Sequence, residues 1–399
     1  MKSNAPAPAF TTDPLAADPG AFLFEPRHHE FRQLVRSFVD REVNPHADAW
    51  EAAGHVPREL FRKAGELGLF KHGVPEAEGG TGIDCRMAIV MSEEISRGNT
   101  RGVGMALGAH NEIAKPHLVR FGTSEQKDKH LADMIAGRKV GALGVTEPKA
   151  GTNVAGITTT AVRDGDGWRL SGEKMYITNG VDADLFFIAA KTDPALGRQG
   201  ISMLLVERDT PGFSRTELTG KLGRLASDTG YLKFDNCRLP ASALIGAVNQ
   251  GFYQIMQCFE HERIVIAAGC VGLAEVSLDE TVAYVKQRGY GEGHLSDMQV
   301  TKQRLAKSYM ELEAARQLVY GTAWRVVRGI PSLKEVAMAK AFAADAACRI
   351  IDDCLQLHGG AGYLSAYPIQ RAYRDIRLDR IGGGTTEVMY DIIAKQKGI

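Results

Sequence analysis

The sequence has no excess of charge of either sign. Its 399 residues include 48 Lys and Arg and 48 Asp and Glu, which gives a formal net charge of zero. Proteins that bind nucleic acid usually carry a clustered basic surface, and acidic interaction tails form blocks of like charge. The sequence shows neither pattern, so we predict no nucleic-acid partner.

Cysteine is scarce, and its spacing excludes the common thiolate metal sites. The six cysteines form no CxxC pair and no other metal-ligand spacing. They fit reduced thiols in a cytoplasmic protein, so we predict no bound metal and a cytoplasmic location. The six are Cys85, Cys237, Cys258, Cys270, Cys348 and Cys354.

Long hydrophobic runs are also missing. The longest apolar run near the middle of the chain, Ile264–Ala274, is much shorter than the roughly 20 residues that cross a bilayer, so we predict no membrane span. The N-terminal residues are rich in Ala and Pro and lack the apolar core of a signal peptide. They include Asp13 and Asp18, which argue against a transit peptide. Residues 1–27 are predicted to form a disordered arm.

The order of periodic segments predicts a mainly α protein with a central β domain. A chain of 399 residues is too long for one ordinary core, so two or three domains are expected. Helical periodicity in residues 28–139 predicts an N-terminal helical domain. Short strand-like segments in residues 140–248 indicate a middle domain that is a small β-barrel. Helical periodicity returns in residues 249–399, and its long amphipathic segments predict a four-helix bundle. The long segments are Phe252–Gln287, Met298–Gly329 and Leu333–His358.

A predicted helix near the middle of the chain carries a carboxylate on its apolar stripe. In Gln250–Ala274, apolar residues recur at spacings of three, four and seven, namely Phe252, Ile255, Phe259 and Ile266. Glu262 falls on this stripe. A carboxylate that loses hydration there has a raised pKa unless a cation offsets the loss, which suits a general base. The alternative is a salt bridge at the edge of the stripe; Arg263 is adjacent in sequence but projects about 100° away around the helix.

Three other regions are difficult to explain by packing alone. Val145–Asn153 places hydroxyls and a tight glycine turn directly after an apolar strand, which suits an anion or a heterocycle. Lys174–Gly180 places an aromatic side chain and a hydroxyl two residues apart on one strand face. The glycine clusters in Gln356–Tyr363 and Arg380–Val388 include hydroxyls or amides, which indicates a closely approaching ligand, although glycines after a helix can also be simple C-caps.

Taken together, these motifs closely resemble those of the acyl-CoA dehydrogenase family. The segments TEPKAGT, YITNG, the Glu-Arg pair on the central helix, QLHGGAGY and GGTTEVM occur in the order of that family. The resemblance covers nearly the whole chain from about His28. It implies an N-terminal helical domain, a middle β domain and a C-terminal helical bundle that bind FAD. It also implies a homotetramer in which a neighbouring subunit contacts each FAD.

The resemblance implies roles for individual residues, transferred by motif position. The flavin and its phosphates would be contacted by Leu143, Val145, Thr146, Thr152, Tyr176, Ile177 and Thr178. The FAD of a neighbouring subunit would be reached by Arg288 and Gln299, the pyrophosphate by Gln356, Gly359 and Gly360, and the adenine side by Thr385 and Glu387. Glu262 would be the catalytic base. The predicted substrate contacts are Thr152, Tyr253, Glu260, Arg263, Gly383 and Gly384; for Tyr253, a wall for the acyl tail and an ordinary core aromatic are both possible.

The chain departs from the usual family pattern at two places. Most members carry the catalytic glutamate in a C-terminal loop, where this chain has Gly383. A minority, including the long-chain and isovaleryl-type enzymes, carry it on the helix just before the arginine, which is the position of Glu262. The second departure follows Arg288, where the family usually has a Phe-Gly run and this chain reads GYGE.

The reaction that the resemblance implies is α,β-dehydrogenation of an acyl-CoA thioester to the trans-2-enoyl-CoA, with an electron-transfer flavoprotein as electron acceptor. The three consecutive glycines Gly382–Gly384 leave room for a medium, long or branched acyl chain. One alternative is a flavoenzyme of the same fold that acts on acyl groups bound to a carrier protein, or as an oxidase or monooxygenase. Another is a binding relative without catalytic activity.

Overall fold

A computed structural model describes residues 20–399. Most of the predicted disordered arm therefore lies outside the described residues. Residues 20–27, which the sequence assigned to that arm, are packed into the fold. Leu23 and Phe24 are buried, and the rings of Phe24 and Tyr320 meet edge to face with their centroids 5.1 Å apart. These residues thus belong to the folded domain rather than to the arm, because their apolar side chains reach a core.

The N-terminal domain is helical, as its periodicity predicted. Local capping explains several helix starts: the Asp84 side chain accepts a hydrogen bond from the backbone N–H of Arg86, and Thr123 forms a capping box with Gln126. Two π-helical segments, Val39–Val43 and Ala109–Ala114, continue the first and fifth helices. The helices are α1 (Pro26–Phe38), α2 (Ala47–Ala53), α3 (Arg58–Glu66), α4 (Cys85–Ser96), α5 (Arg101–Gly108), α6 (Lys115–Phe121) and α7 (Ser124–Ile135).

The middle domain is one eight-stranded sheet. Its strands are β1 (Gly141–Gly144), β2 (Thr160–Asp164), β3 (Gly167–Thr178), β4 (Leu185–Lys191), β5 (Ile201–Glu207), β6 (Phe213–Glu217), β7 (Thr229–Leu239) and β8 (Leu244–Ile245). They follow the order β6-β7-β3-β2-β4-β5-β8, and β1 pairs in parallel with β4. Among the described residues, the end strands β6 and β8 do not pair with each other. The eight strands therefore form an open sheet rather than the predicted closed barrel.

The C-terminal domain places long helices where the periodicity predicted them. The helices are α8 (Gly251–Gln287), α9 (Gln299–Val327), α10 (Leu333–His358), α11 (Pro368–Ile376) and α12 (Thr386–Lys397). The three long helices were predicted at Phe252–Gln287, Met298–Gly329 and Leu333–His358. Helices α8, α9 and α10 share one apolar core, and α12 packs against α10. Between α8 and α9, β9 (Gly289–Tyr290) and β10 (Gly293–His294) form a small hairpin.

Helix α8 lies between the two helical domains, and both of them fix its orientation. On one side it packs against α4, and on the other it packs against α9 and α10. At Gly272, helices α8 and α4 approach so closely that a Cβ atom would lie 2.3 Å from the carbonyl oxygen of Glu93. Seven residues earlier along α8, the carbonyl of Val265 accepts a hydrogen bond of 2.7 Å from the Ser92 hydroxyl. These contacts determine the direction in which Glu262 points.

Residues 20–399 contain no helix that combines the length and the apolar character needed to cross a bilayer. The same residues contain no group of three or more His, Cys, Asp or Glu side chains placed to hold a metal ion. All six cysteines are free thiols.

Candidate active site

Glu262 is buried in the structure, as its position on the apolar stripe predicted. Its accessible fraction is 8%, and its Oε2 atom has no hydrogen-bond partner in the described part of the chain. No Lys, Arg or His nitrogen of the described residues lies within 4.0 Å of its carboxylate. The alternative of a salt bridge at the edge of the stripe is therefore not what the structure shows.

The C-terminal loop that precedes α12 faces this carboxylate. A Cβ atom built on Gly383 would lie 3.6 Å from Glu262 Oε1. Glu262 and Gly383 are the helix and loop positions for the base in this resemblance, so the fold brings the two positions together. The backbone N–H groups of Gly383 and Gly384 donate to no acceptor among residues 20–399.

Two buried cations hold the carbonyl groups of this loop. Arg263 Nε donates to the carbonyl of Gly383 at 3.0 Å, and Lys340 Nζ donates to the carbonyl of Gly384 at 2.6 Å. In a planar trans peptide the N–H points away from the C=O of the same unit. Fixing these two carbonyls therefore also fixes the N–H groups of Gly384 and Thr385.

Burial sets the protonation of Glu262. Loss of hydration raises the pKa of Glu262 to about 7, although the positive charges of Arg263 and Lys340 act in the opposite direction. A carboxyl group with this pKa gains and loses a proton near neutral pH. This property suits a general acid or base.

A buried ion pair supports the loop that follows β1. Glu147 Oε1 accepts from Lys174 Nζ at 2.7 Å, and its carboxylate also accepts from Thr158 and Thr159. Lys174 Nζ donates further to the carbonyl of Val145 at 3.1 Å. Burial disfavours the charged carboxylate, but Lys174 and these hydrogen bonds bring the pKa of Glu147 down to about 2. The pair ties the β1 loop to β3.

Tyr176 in β3 adopts an unusual backbone conformation. Its φ angle is +63°, and the pairing of β3 with β7 shifts register between Lys174 and Ile177. An aromatic residue in the left-handed region is strained, and such strain clusters at functional sites. The Tyr176 side chain is 65% exposed, whereas the side chain of Ile177 is buried in the sheet core. The predicted cofactor contact of Ile177 is therefore limited to its backbone.

Three threonine hydroxyls of the predicted flavin site make no hydrogen bond within the described part of the chain. The hydroxyls of Thr146, Thr152 and Thr178 have no hydrogen-bond partner in the described part of the chain, and Thr152 is exposed. The backbone carbonyl of Thr146 accepts from Met175 at 2.9 Å, so β3 and the β1 loop lie side by side. Among the apolar residues, Leu143 is half-buried and Val145 is buried. Hydroxyls and an exposed aromatic ring are thus available close together, in the β1 loop and near the end of β3.

The remaining predicted cofactor residues lie at one end of the C-terminal helices. Arg288 directly follows α8, Gln299 begins α9, and both are exposed. The end of α10 lies beside the end of α8, because the Tyr284 hydroxyl donates to the carbonyl of His358 at 3.2 Å. The end of α10 also carries the exposed residues Gln356, Gly359 and Gly360. The altered run after Arg288 forms the β9–β10 hairpin.

Other predicted residues occupy separate positions. Thr385 is the N-cap of α12, where its hydroxyl accepts from Val388 N–H, and Glu387 is exposed. Glu260 is half-buried, and burial raises its pKa. Tyr253 is 43% exposed and precedes Glu262 by nine residues, about 13 Å along the helix axis. It is therefore not an ordinary core aromatic.

Several polar side chains of the site are absent from the prediction made on sequence alone. Lys340 and the pair of Glu147 and Lys174 are among them. Another is Glu112, which accepts from His72 and from His261 at 2.7 Å each and so ties the π-helical segment to α8 beside Glu262. Their only signal is a charged residue inside an otherwise apolar segment, which a sequence rarely distinguishes from an exposed position.

Family models of the three acyl-CoA dehydrogenase domains match this chain in order. The N-terminal domain matches residues 25–138, the middle domain residues 142–237, and the C-terminal domain residues 249–398. The mitochondrial long-chain specific acyl-CoA dehydrogenase of Sus scrofa is 38% identical over 379 residues, which cover 94% of this chain and 87% of that protein. The mitochondrial isovaleryl-CoA dehydrogenase of Oryza sativa subsp. japonica is 35% identical, with 96% of this chain and 93% of that protein covered. This chain belongs to the acyl-CoA dehydrogenase family.

Solved structures agree with this assignment. The crystal structure of acyl-CoA dehydrogenase from Geobacillus kaustophilus superposes with a TM-score of 0.90 at 39% identity, covering 94% of this chain and 99% of that chain. The prolyl acyl carrier protein oxidase AnaB superposes with a TM-score of 0.89 at 28% identity, covering 94% and 100%. The predicted fold class is confirmed. The protein is an oxidoreductase that acts on a CH–CH group, and members of its family are FAD flavoproteins.

The residues present fit FAD. The free hydroxyls of Thr146, Thr152 and Thr178 can donate to a flavin ring and a phosphate, and the exposed Tyr176 ring can pack against a heterocycle. Because these hydroxyls have no partner among the described residues, a ligand can bind them without breaking an existing hydrogen bond. The cofactor prediction thus rests on side chains that the protein itself leaves without partners.

Lys174→Met is expected to destabilise the protein and to weaken FAD retention. The change leaves the Glu147 carboxylate buried without its cation, and breaking a buried pair in this way costs about 3–5 kcal/mol. Thermal unfolding and the flavin-to-protein ratio after gel filtration measure both effects. Lys149→Met, an exposed lysine of the same loop, is the matched control. Unfolding of Lys174→Met at the wild-type temperature, with full flavin content, would contradict the role of the pair.

Proposed function

We propose that the protein oxidises medium-chain, long-chain or branched acyl-CoA thioesters to the trans-2-enoyl-CoA, with Glu262 as the base that removes the α-proton. The observation that carries this proposal is Glu262 itself. It is a buried carboxylate with a pKa of about 7, and one of its oxygens has no partner in the described part of the chain. Bound FAD supplies the acceptor for the hydride that leaves the β-carbon.

The loop beside Glu262 is suited to hold the thioester carbonyl. Removal of the α-proton places negative charge on that oxygen, and donors already in place stabilise such charge. The N–H groups of Gly383 and Gly384 have no acceptor among the described residues, so they can serve as such donors. Gly383 lies next to the Glu262 carboxylate. The base and these donors thus belong to neighbouring residues, which suits a substrate whose α-carbon and carbonyl are adjacent.

The glycine run Gly382–Gly384 supports a wide acyl site, since these residues place no side chain near Glu262. Tyr253, partly exposed on the same helix, remains our candidate for a wall of the acyl tail. A turnover panel of straight and branched acyl-CoA substrates tests this assignment. Exclusive use of short straight chains would count against it.

The assembly belongs to the same proposal. Arg288, Gln299, Gln356, Gly359 and Gly360 are exposed at one end of the C-terminal helices, which suits contact with the FAD of a neighbouring subunit in a homotetramer. Electrons would then pass to an electron-transfer flavoprotein in the cytoplasm. Light scattering of the purified protein measures the assembly, and reduction of that flavoprotein under anaerobic conditions measures the acceptor.

Anaerobic titration of the purified protein with acyl-CoA substrates tests the proposed reaction. We expect a yellow protein whose flavin absorbance bleaches on addition of a substrate, with the matching enoyl-CoA as product. A colourless protein that binds no FAD would instead favour the binding relative without activity. A yellow protein that no acyl thioester bleaches would refute dehydrogenation.

The rate of flavin reduction is expected to rise with pH and to level off above a pH of about 7. Burial raises the pKa of Glu262 to about 7, and only the ionised form accepts the α-proton. The rate should therefore fall about tenfold for each pH unit below that value. Stopped-flow reduction at several pH values, with substrate saturating throughout, measures this limb. A rate that is independent of pH between 5 and 9 would contradict the assignment of the base.

A carrier-protein thioester is the second candidate substrate. The likeness to the oxidase AnaB supports it, because that protein is described as acting on a prolyl acyl carrier protein. Comparing the same acyl group on CoA and on a carrier protein separates the two cases. Oxygen consumption in place of transfer to an electron-transfer flavoprotein would favour oxidase or monooxygenase chemistry.

A further inference from the structure

Lys340 is a buried lysine in the middle of α10. Its accessible fraction is 0%, and its Nζ atom donates to the carbonyl of Gly384 at 2.6 Å. No carboxylate of the described residues lies within 4.0 Å of it. An ammonium group has three donors, so one carbonyl does not account for it.

Burying a cation costs more free energy than a hydrogen bond to one carbonyl group returns. Moving an ammonium ion out of water costs several kcal/mol, and a neutral amide or hydroxyl could donate the same hydrogen bond. The charge of Lys340 therefore requires a negative partner at longer range. The nearby carboxylates are those of Asp379 and Glu262.

These two carboxylates differ in what already surrounds them. Asp379 is paired with Arg101 at 3.1 Å and with Arg224 at 2.6 Å, so its charge is balanced. Glu262 has no ion pair within 4.0 Å, and its Oε2 has no hydrogen-bond partner among the described residues. The Gly383–Gly384 loop contacts both groups, since Gly383 lies beside the Glu262 carboxylate and the carbonyl of Gly384 accepts from Lys340.

We propose that Lys340 is a positioning residue for proton abstraction, which fixes the Gly383–Gly384 loop and favours the ionised form of Glu262. This inference rests on the proposed function, in which Glu262 is the base. Arg263 also lowers the pKa of Glu262, but it lies on the same helix as the base and donates to the carbonyl of Gly383 instead. Lys340 also differs from Arg263 in coming from α10, so it links the base to a second helix.

The charged surroundings of Glu262 support this role. Burial raises the pKa of Glu262, whereas Arg263 and Lys340 lower it. Cys258, on the same helix, is also near Glu262, and burial raises the pKa of its thiol, so it stays neutral. Around Lys340 itself lie Cys270, Asp379, Arg263 and Glu262, and burial lowers the pKa of this lysine. Loss of the Lys340 charge should therefore raise the pKa of Glu262 further.

Three substitutions separate the two roles of Lys340. Lys340→Gln keeps a donor for the Gly384 carbonyl but removes the charge, Lys340→Met removes both, and Lys340→Arg keeps both. Lys334→Met, on the first turn of α10 and partly exposed, is the control. The holoenzymes are compared by stopped-flow flavin reduction with an acyl-CoA between pH 5.5 and 9.5. Infrared difference spectra of the same variants, with and without Glu262→Gln, report the protonated carboxyl of Glu262 without substrate.

In Lys340→Gln the acidic limb of the pH–rate profile should move to higher pH by about one unit. The rate should then be roughly tenfold below wild type on that limb and equal to wild type at higher pH. The infrared titration should shift by the same amount. Lys340→Met should add a raised KM, because the loop loses its tether, and Lys340→Arg should keep the wild-type limb.

An equal loss of rate at every pH in Lys340→Gln, with an unshifted infrared titration, would overturn the electrostatic role. If Lys340→Met does not fold, the glutamine and arginine variants still decide the question. Failure of wild type to turn over any acyl thioester would count against the proposed function. The infrared titration would then still decide whether Lys340 controls the ionisation of Glu262.

Discussion

Glu262→Gln is expected to lower the rate of flavin reduction by an acyl-CoA about 10³-fold. Glutamine has nearly the same shape but cannot accept the α-proton, and a positioned general base contributes about 10²- to 10⁴-fold. Substrate binding should change little, because the loop and its N–H groups remain in place. Anaerobic stopped-flow reduction measures the rate, and the absorbance change at equilibrium shows whether the substrate still binds.

A second carboxylate on α8 provides a matched control for this variant. Glu280 is half-buried, and burial raises its pKa as it does for Glu262. It lies 18 residues further along the helix, about 27 Å from Glu262. Glu280→Gln should therefore keep the wild-type rate. Reduction of Glu262→Gln at full speed would remove Glu262 from the mechanism.

The same variant should also change stability in a direction fixed by the pKa. The folded protein raises the pKa of Glu262 from an ordinary value of 4.5 to about 7, so ionisation of this group opposes folding. The contribution of Glu262 to the free energy of unfolding should be fully present below pH 4.5, the pKa in the unfolded chain. It should be lost as the pH rises through about 7, by at most about 3 kcal/mol. Glu262→Gln does not ionise, so its unfolding temperature should exceed that of wild type at pH 8 more than at pH 5. A base kept in a dry site thus lowers stability for the sake of reactivity.

Helical periodicity was sufficient to predict the parts of the fold that follow from local sequence. Long segments with a regular apolar stripe gave the ends of α8, α9 and α10 to within two residues. The same stripe placed Glu262 on the buried side. Such predictions succeed because a helix of about seven or more turns needs one continuous apolar face.

The parts that depend on contacts between distant segments could not be predicted in this way. Lys340 lies in an alanine-rich helix where a lysine normally extends its amine to water, so its burial follows only from how α10 meets the Gly384 loop. The pairing of Glu147 with Lys174 requires the β1 loop to lie against β3. Irregular pairing of β3 turns Ile177 inward, which a motif transferred position by position does not show. Sequence patterns identify faces, but the partners of buried charges depend on tertiary structure.

Moving the base to the loop is expected to fail in this protein. Gly383 has a φ angle of +66°, which costs an L-residue roughly 1–2 kcal/mol. A Cβ atom at this position would also lie 2.6 Å from Cδ1 of Ile266, so that side chain would have to move. The double variant Glu262→Gln with Gly383→Glu should therefore recover less than about a tenth of the wild-type rate of flavin reduction, since each 1.4 kcal/mol of strain is worth about tenfold.

Ile266→Val removes the Cδ1 atom that blocks this position and provides the test of the explanation. Added to the double variant, it should raise the rate of flavin reduction several-fold, whereas Ile266→Val alone should stay close to wild type. The improvement should be incomplete, because the positive φ angle of the loop remains. Full recovery by the double variant without the change at Ile266 would show that the loop relaxes freely. The helix position of the base would then reflect no constraint from the loop. With the expected result, the conformation of Gly383 and the packing of Ile266 together exclude a carboxylate from the loop, and the base must come from α8.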